Sequence, residues 1–155
     1  MLFRSVPFAR LQSPQSAWPG QLGRQLGYRF RGYRLDSQRR PAFRYTFHDL
    51  KIEDHLKPVG GTHQAHFERR LTIRQPDKAG DQDDPGQGLW HLAAAGSKIE
   101  RRKDGSFLID GRLQLRIQAG KSVQPMVRKS GNRSELLVPV QFGGRPAVIV
   151  VSYIW

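Results

Sequence analysis

Few side chains in this sequence are of a type and spacing that could do chemistry, and each group stops short of a complete site. His63 and His66 have the spacing H-x-x-H, and with His55 or Glu68 nearby they offer the imidazole and carboxylate ligands that zinc takes. In a loop that feeds a strand two such side chains need not converge, so they read as surface histidines. Asp81, Asp83, Asp84 and Gly86 open like a calcium loop, because clustered carboxylates suit a hard cation. Pro85 then takes the third ligand position and Leu92 the place of the closing bidentate Glu, which leaves a solvated acidic loop. Ala119, Gly120, Lys121 and Ser122 imitate the end of a phosphate-binding loop, but the opening glycine of that motif falls on Leu115. Glu53 and Asp54 are adjacent, so on a strand they point to opposite faces and make poor acid and base partners. The chain has no cysteine, which excludes disulfides, thiolate metal sites, thiol nucleophiles and thioether-linked haem. The expectation is a protein that is not an enzyme and holds neither metal nor cofactor.

Binding is the remaining class of function. The formal net charge is +13, which raises the question of nucleic acid or another anionic surface. The net positive charge falls in two stretches, 1–48 and 85–155, with a slightly acidic stretch between, and arginines outnumber lysines. Strands with one wet face need polar residues there, so solvated strand faces are preferred to a nucleic-acid surface. Trp90 and His91 are consecutive in an apolar segment, so one should face the core and the other the opposite side. Such a Trp is most simply a packing residue, because a sugar platform needs an accessible ring face. Asn132, Arg133 and Ser134 fit the glycosylation pattern, which matters only in a host that glycosylates.

The elements that would position these residues are strands. Residues 1–23 hold Pro7, Pro14, Pro19, Gly20 and Gly23 without periodicity and read as a linker or poorly ordered lead-in. From residue 24 to 155 alternation with a period of two recurs, and helical spacing is nowhere sustained. Tyr28 and Phe30 alternate with Arg29 and Arg31; Gly32 breaks the phase where a bulge would fit, and Tyr33 and Leu35 continue on the other parity. After a polar turn, Phe43, Tyr45 and Phe47 alternate with Arg44, Thr46 and His48, which predicts a hairpin with aromatics inward and arginines outward. Asp104-Gly105 and Asp110-Gly111 are hairpin-type dipeptides. Pro139 lacks an N–H, so its strand should be an edge or contain a bulge. Eight to ten short strands in one domain predict an all-β antiparallel sandwich or open barrel. No run approaches the length that spans a membrane as a helix.

The phrases FRGYRLD (Phe30 to Asp36), RPAFRY (Arg40 to Tyr45), KIEDHLKP (Lys51 to Pro58), LWHLAAAGSKIE (Leu89 to Glu100), LIDGRLQLRI (Leu108 to Ile117) and ELLVPV (Glu135 to Val140) together carry a resemblance. They resemble a β-rich segment of large exported planctomycete-type proteins that combine c-type cytochrome and sugar-dehydrogenase-like modules. The resemblance covers roughly residues 24–155 and consists of strand-and-turn phrases, not a catalytic motif. It implies an accessory module of an exported protein, although no secretory signal follows Met1. The expected function is therefore a non-catalytic interaction module whose partner is a protein or neighbouring domain. A carbohydrate-binding module is the second reading and a basic nucleic-acid-binding domain the third. The residues expected to form the partner surface are Arg29, Arg31, Arg44, Trp90 and His91.

Overall fold

Twelve strands and no helix make up the regular structure of residues 6–61, 64–76 and 87–155, which the computed structural model describes. The strands are β1 (Phe8–Arg10), β2 (Tyr28–Leu35), β3 (Pro41–Phe47), β4 (Leu50–Val59), β5 (His66–Arg74) and β6 (Leu89–Gly96), followed by β7 (Ile99–Arg101), β8 (Phe107–Ile109), β9 (Leu113–Gln118), β10 (Met126–Ser130), β11 (Arg133–Pro139) and β12 (Ala147–Ile154). They form a four-stranded sheet in the order β1-β6-β11-β10 and an eight-stranded sheet in the order β2-β3-β4-β5-β12-β9-β8-β7. Every neighbouring pair is antiparallel. The two sheets share one apolar core. Phe8, Leu89, Ala93, Leu136 and Val138 enter it from the small sheet, and Phe47, Leu50, Ile52, Leu71, Ile73, Leu115, Ile149 and Val151 from the large one. The protein is an all-β sandwich of unequal sheets, held by interdigitation of two alternating inner faces. The strands beyond the expected number include β1 and β7, each three residues long and too short to show a period.

The predicted lead-in is corrected by the structure over its described part. Phe8 is wholly buried and pairs with His91 at the edge of the small sheet, and Leu11 is buried behind it. Residues 11–18 fold over the outer face of that sheet, where Ala9, Leu11 and Leu137 pack with Trp18, Trp90, Leu92 and Met126. Buried Arg128 fastens this segment. It pairs with Glu135 at 2.7 Å and donates to the carbonyls of Pro14 and Ser16. Prolines and glycines concealed this packing, because short irregular segments bury side chains without a period.

Local signals in both sheets hold. β2 and β3 shift register between Phe30 and Gly32, and Gly32 has φ +97°, a conformation that suits glycine at a bulge. Asp110 and Gly111 both have positive φ in the tight turn between β8 and β9. Pro139 ends β11, an interior strand, which carries a register shift between Leu136 and Leu137.

Candidate functional site

The hairpin β2–β3 places its aromatics on one face as expected: Tyr28 lies opposite Phe47, Phe30 opposite Tyr45 and Tyr33 opposite Phe43. Their burial differs from the expectation. Phe47 is 3% exposed and Tyr28 stacks on it at 4.5 Å, yet Phe30 is 67%, Tyr33 61% and Phe43 45% exposed. The cause is coverage: a four-stranded sheet cannot cover an eight-stranded one, and its boundary crosses the large sheet diagonally. Along paired positions, Phe43 is exposed, Asp54 half-buried, and Leu71 and Ile149 buried. Two residues further, Leu56 is exposed, Arg69 half-buried and Val151 buried. Next, Phe67 is exposed, Tyr153 half-buried and Leu115 buried.

The uncovered corner therefore carries Phe30, Tyr33, Leu35, Phe43, Leu56 and Phe67, and Trp155 packs edge-on against Phe67 at 5.7 Å. Large apolar groups scattered singly over a surface are ordinary, whereas seven on one corner of one face form the kind of patch that marks an interaction site.

Polar groups line the margin between this corner and the core. Arg69 makes a two-pronged bond to Asp54, with Nε to Oδ1 at 2.9 Å and a terminal nitrogen to Oδ2 at 2.6 Å. Burial works against the Arg69 charge, but the bonds and attraction of Asp54, with Tyr153 alongside, outweigh it and hold the guanidinium protonated. The Tyr45 hydroxyl is buried with no hydrogen-bond partner among the described residues, and its pKa is raised by that burial and then by the Asp54 charge. On the facing small sheet, His91 is wholly buried beside Phe8, with ring centroids 5.0 Å apart. Its Nδ1 lies 2.8 Å from the Pro7 carbonyl, an acceptor, so Nδ1 carries the proton and Nε2 has no partner among the described residues. Burial first and the Arg69 charge second push its pKa down to about 3, against the opposing bond to Pro7.

The expected partner residues thus divide among three places. Arg29, Arg31 and Arg44 are exposed. Arg29 donates to the carbonyls of Arg24 and Tyr28, and Arg44 shares Glu53 with Arg34 on the face away from the core. Trp90 is half-buried in the outer cluster of the small sheet. His91 is corrected from partner surface to core, because its strand faces the large sheet at every second residue and position 91 shares the phase of Leu89 and Ala93. The residues that sequence reasoning missed as surface are Tyr33, Leu35, Leu56, Phe67 and Trp155. Their alternation announces an inward face, and nothing local says where the opposing sheet ends.

Glu53 and Asp54 do lie on opposite faces, one held by Arg34 and Arg44 and the other by Arg69. The Arg34 bond is the main reason that the Glu53 pKa is lowered. His55 bonds Asp36 at 3.1 Å, while His66 bonds the Gln64 carbonyl four positions away along the β4–β5 ladder, so the two do not converge. His63 and the acidic group at Asp81, Asp83, Asp84 and Gly86 lie outside the described residues. Arg44→Ala should change stability by only about 0.5 kcal/mol in urea melts, because Arg44 is half-exposed and Arg34 continues to hold Glu53.

Fold and surface together define the class, an antiparallel β-sandwich with an uncovered aromatic corner. No known protein family, curated protein or solved structure matches this chain.

Proposed function

We propose that this chain is a non-catalytic docking module, an accessory β-sandwich that holds a partner protein or neighbouring domain against its uncovered corner. The observation that carries the reading is the gathering of seven large, exposed apolar side chains on the inner face of the large sheet. Its setting in an exported, redox-associated protein of the cytochrome c and sugar-dehydrogenase kind rests on the resemblance described above. The nucleic-acid reading is weaker because strand-tracking surfaces interleave aromatics with cations, and here Arg44 and Arg34 lie on the face opposite Phe43 and Tyr33. The carbohydrate reading loses Trp90 as a free platform, since it is half-buried against the cluster of Ala9, Leu11 and Leu137.

Selection of displayed random peptides against the immobilised protein tests the docking reading. Peptides should be recovered whose binding falls about tenfold or more with Tyr33→Ser or Phe67→Ser and is unchanged with Arg116→Ala, an exposed residue on the other face. Recovery of no binders, or of binders indifferent to both serine variants, would sink the reading. Glycan-array hits lost with Tyr33→Ser would replace it with the carbohydrate one.

A further inference from the structure

We infer that the partner docks by adding a strand to the open edge of β2, and that the segment it adds alternates apolar and acidic residues. This rests on the docking reading and specifies its chemistry.

The large sheet ends in β7 on one side and β2 on the other. β7 has three residues and so offers little to pair with, whereas β2 has eight, of which Phe30, Tyr33 and Leu35 are exposed. A long open edge is a row of unpaired backbone groups ready to accept another strand. The direction of those groups follows from the bonds at the two ends of β2. The Asp36 N–H donates to the Arg40 carbonyl across the hairpin, so by alternation Arg34 also turns toward β3, while Tyr33 and Leu35 turn their N–H and C=O to the open side. At the other end the Tyr28 N–H donates to Gly23 instead of β3, and Phe30, two residues on, shares its outward direction.

The side chains along this edge set the composition of an added strand. On the inner side Phe30, Tyr33 and Leu35 continue the uncovered apolar corner, so every second residue of the newcomer must be apolar to extend it. On the outer side Arg34 has Glu53, while Arg29 donates to backbone carbonyls and, like exposed Arg31, has no ion partner among the described residues. Residues directly opposite in a sheet interact, and like charges there repel. The alternate positions of the newcomer are therefore acidic. The same arginines disfavour a second copy of this chain, since antiparallel β2–β2 pairing would set arginine against arginine. The bulge at Gly32 adds to this protection of the edge.

The test uses the full chain and blocked octapeptides. The first alternates Val and Glu, the second has the same composition as a Val block and a Glu block, and the third alternates Val and Lys. Two further versions of the first carry N-methyl groups on the Val amides or on the Glu amides. In an antiparallel arrangement the apolar residues of the newcomer lie opposite Phe30, Tyr33 and Leu35 and exchange hydrogen bonds with them, so only the Val amides point at β2. The alternating Val-Glu peptide should bind about tenfold or more tighter than the block peptide. Methylation of the Val amides should cost about as much, and methylation of the Glu amides much less. Arg29→Glu with Arg31→Glu should reverse the preference toward the Val-Lys peptide, a gain that a misfolded variant would not make. Equal binding of the alternating, block and Val-methylated peptides, or a charge-swapped protein that still prefers Val-Glu, would overturn the inference. If displayed peptides respond to Phe67→Ser while these comparisons show no alternation or amide dependence, docking stands and strand addition falls. If nothing binds in either experiment, both fall.

Discussion

Phe47→Ala is expected to lower the free energy of unfolding by about 3–5 kcal/mol, the cost of emptying a buried aromatic site in a packed core. Phe47 sits in the main core, stacks on Tyr28 at 4.5 Å and contacts the His48 ring at 4.6 Å, so its removal leaves a cavity between the sheets at the start of the hairpin. Phe43→Ala, four residues earlier on the same strand and the same face, should cost about 1 kcal/mol or less. Its ring is already nearly half in water and lies 6.3 Å from the Tyr33 ring, which is itself exposed. Urea melts of the two variants at equal slope give the comparison. Equal losses would mean that the small sheet covers the corner in solution, and the docking surface would disappear with it.

Acid should unfold this protein through His91. A free histidine titrates near pH 6.5, whereas His91 in the fold is held neutral down to about 3 by burial, with Arg69 adding to the effect. Between those values the unfolded chain takes up a proton that the folded chain does not, so stability is full above about pH 6.5 and falls as the pH drops. The slope from this group is about 1.4 kcal/mol per pH unit. Asp36 has its pKa lowered to about 2, chiefly by the backbone bond from Arg40, and it costs stability only below the ordinary carboxylate range. Glu53, lowered chiefly by its Arg34 bond, adds to the loss only as the ordinary carboxylate range is approached, so the window between about pH 6.5 and 5.5 isolates the histidine. His91→Asn places an amide N–H where Nδ1 stood, so it keeps a donor for the Pro7 carbonyl, and it removes the titration. The wild type should lose its advantage over this variant steadily across that window in urea melts. Parallel pH curves for the two proteins would show that His91 titrates as in water and is not sealed in the core.

The edge of β2 and the corner beside it were partly legible in the primary structure. Tyr28, Phe30, Phe43, Tyr45 and Phe47 declare one face of a hairpin, and Arg29, Arg31 and Arg44 are exposed around it, because a strand alternates its side chains whatever lies beyond. The bulge at Gly32 and the turn at Asp110-Gly111 were legible for the same reason, since a positive φ is a local demand with a local answer. The lead-in was misread because Phe8 and Leu11 find their partners on β6 and over the small sheet, about eighty residues away in sequence.

What the sequence by itself determined is the strand class, the period-two faces and the exclusion of thiol chemistry, all of which depend on a residue and its near neighbours. Only the tertiary structure decided which apolar residues are core and which are surface. Phe43 and Phe47 carry the same signal four residues apart, and the difference between them is where a second sheet, assembled from β1, β6, β10 and β11, runs out. Burial is a property of the opposing layer, and no period within one strand encodes the size of the layer that meets it.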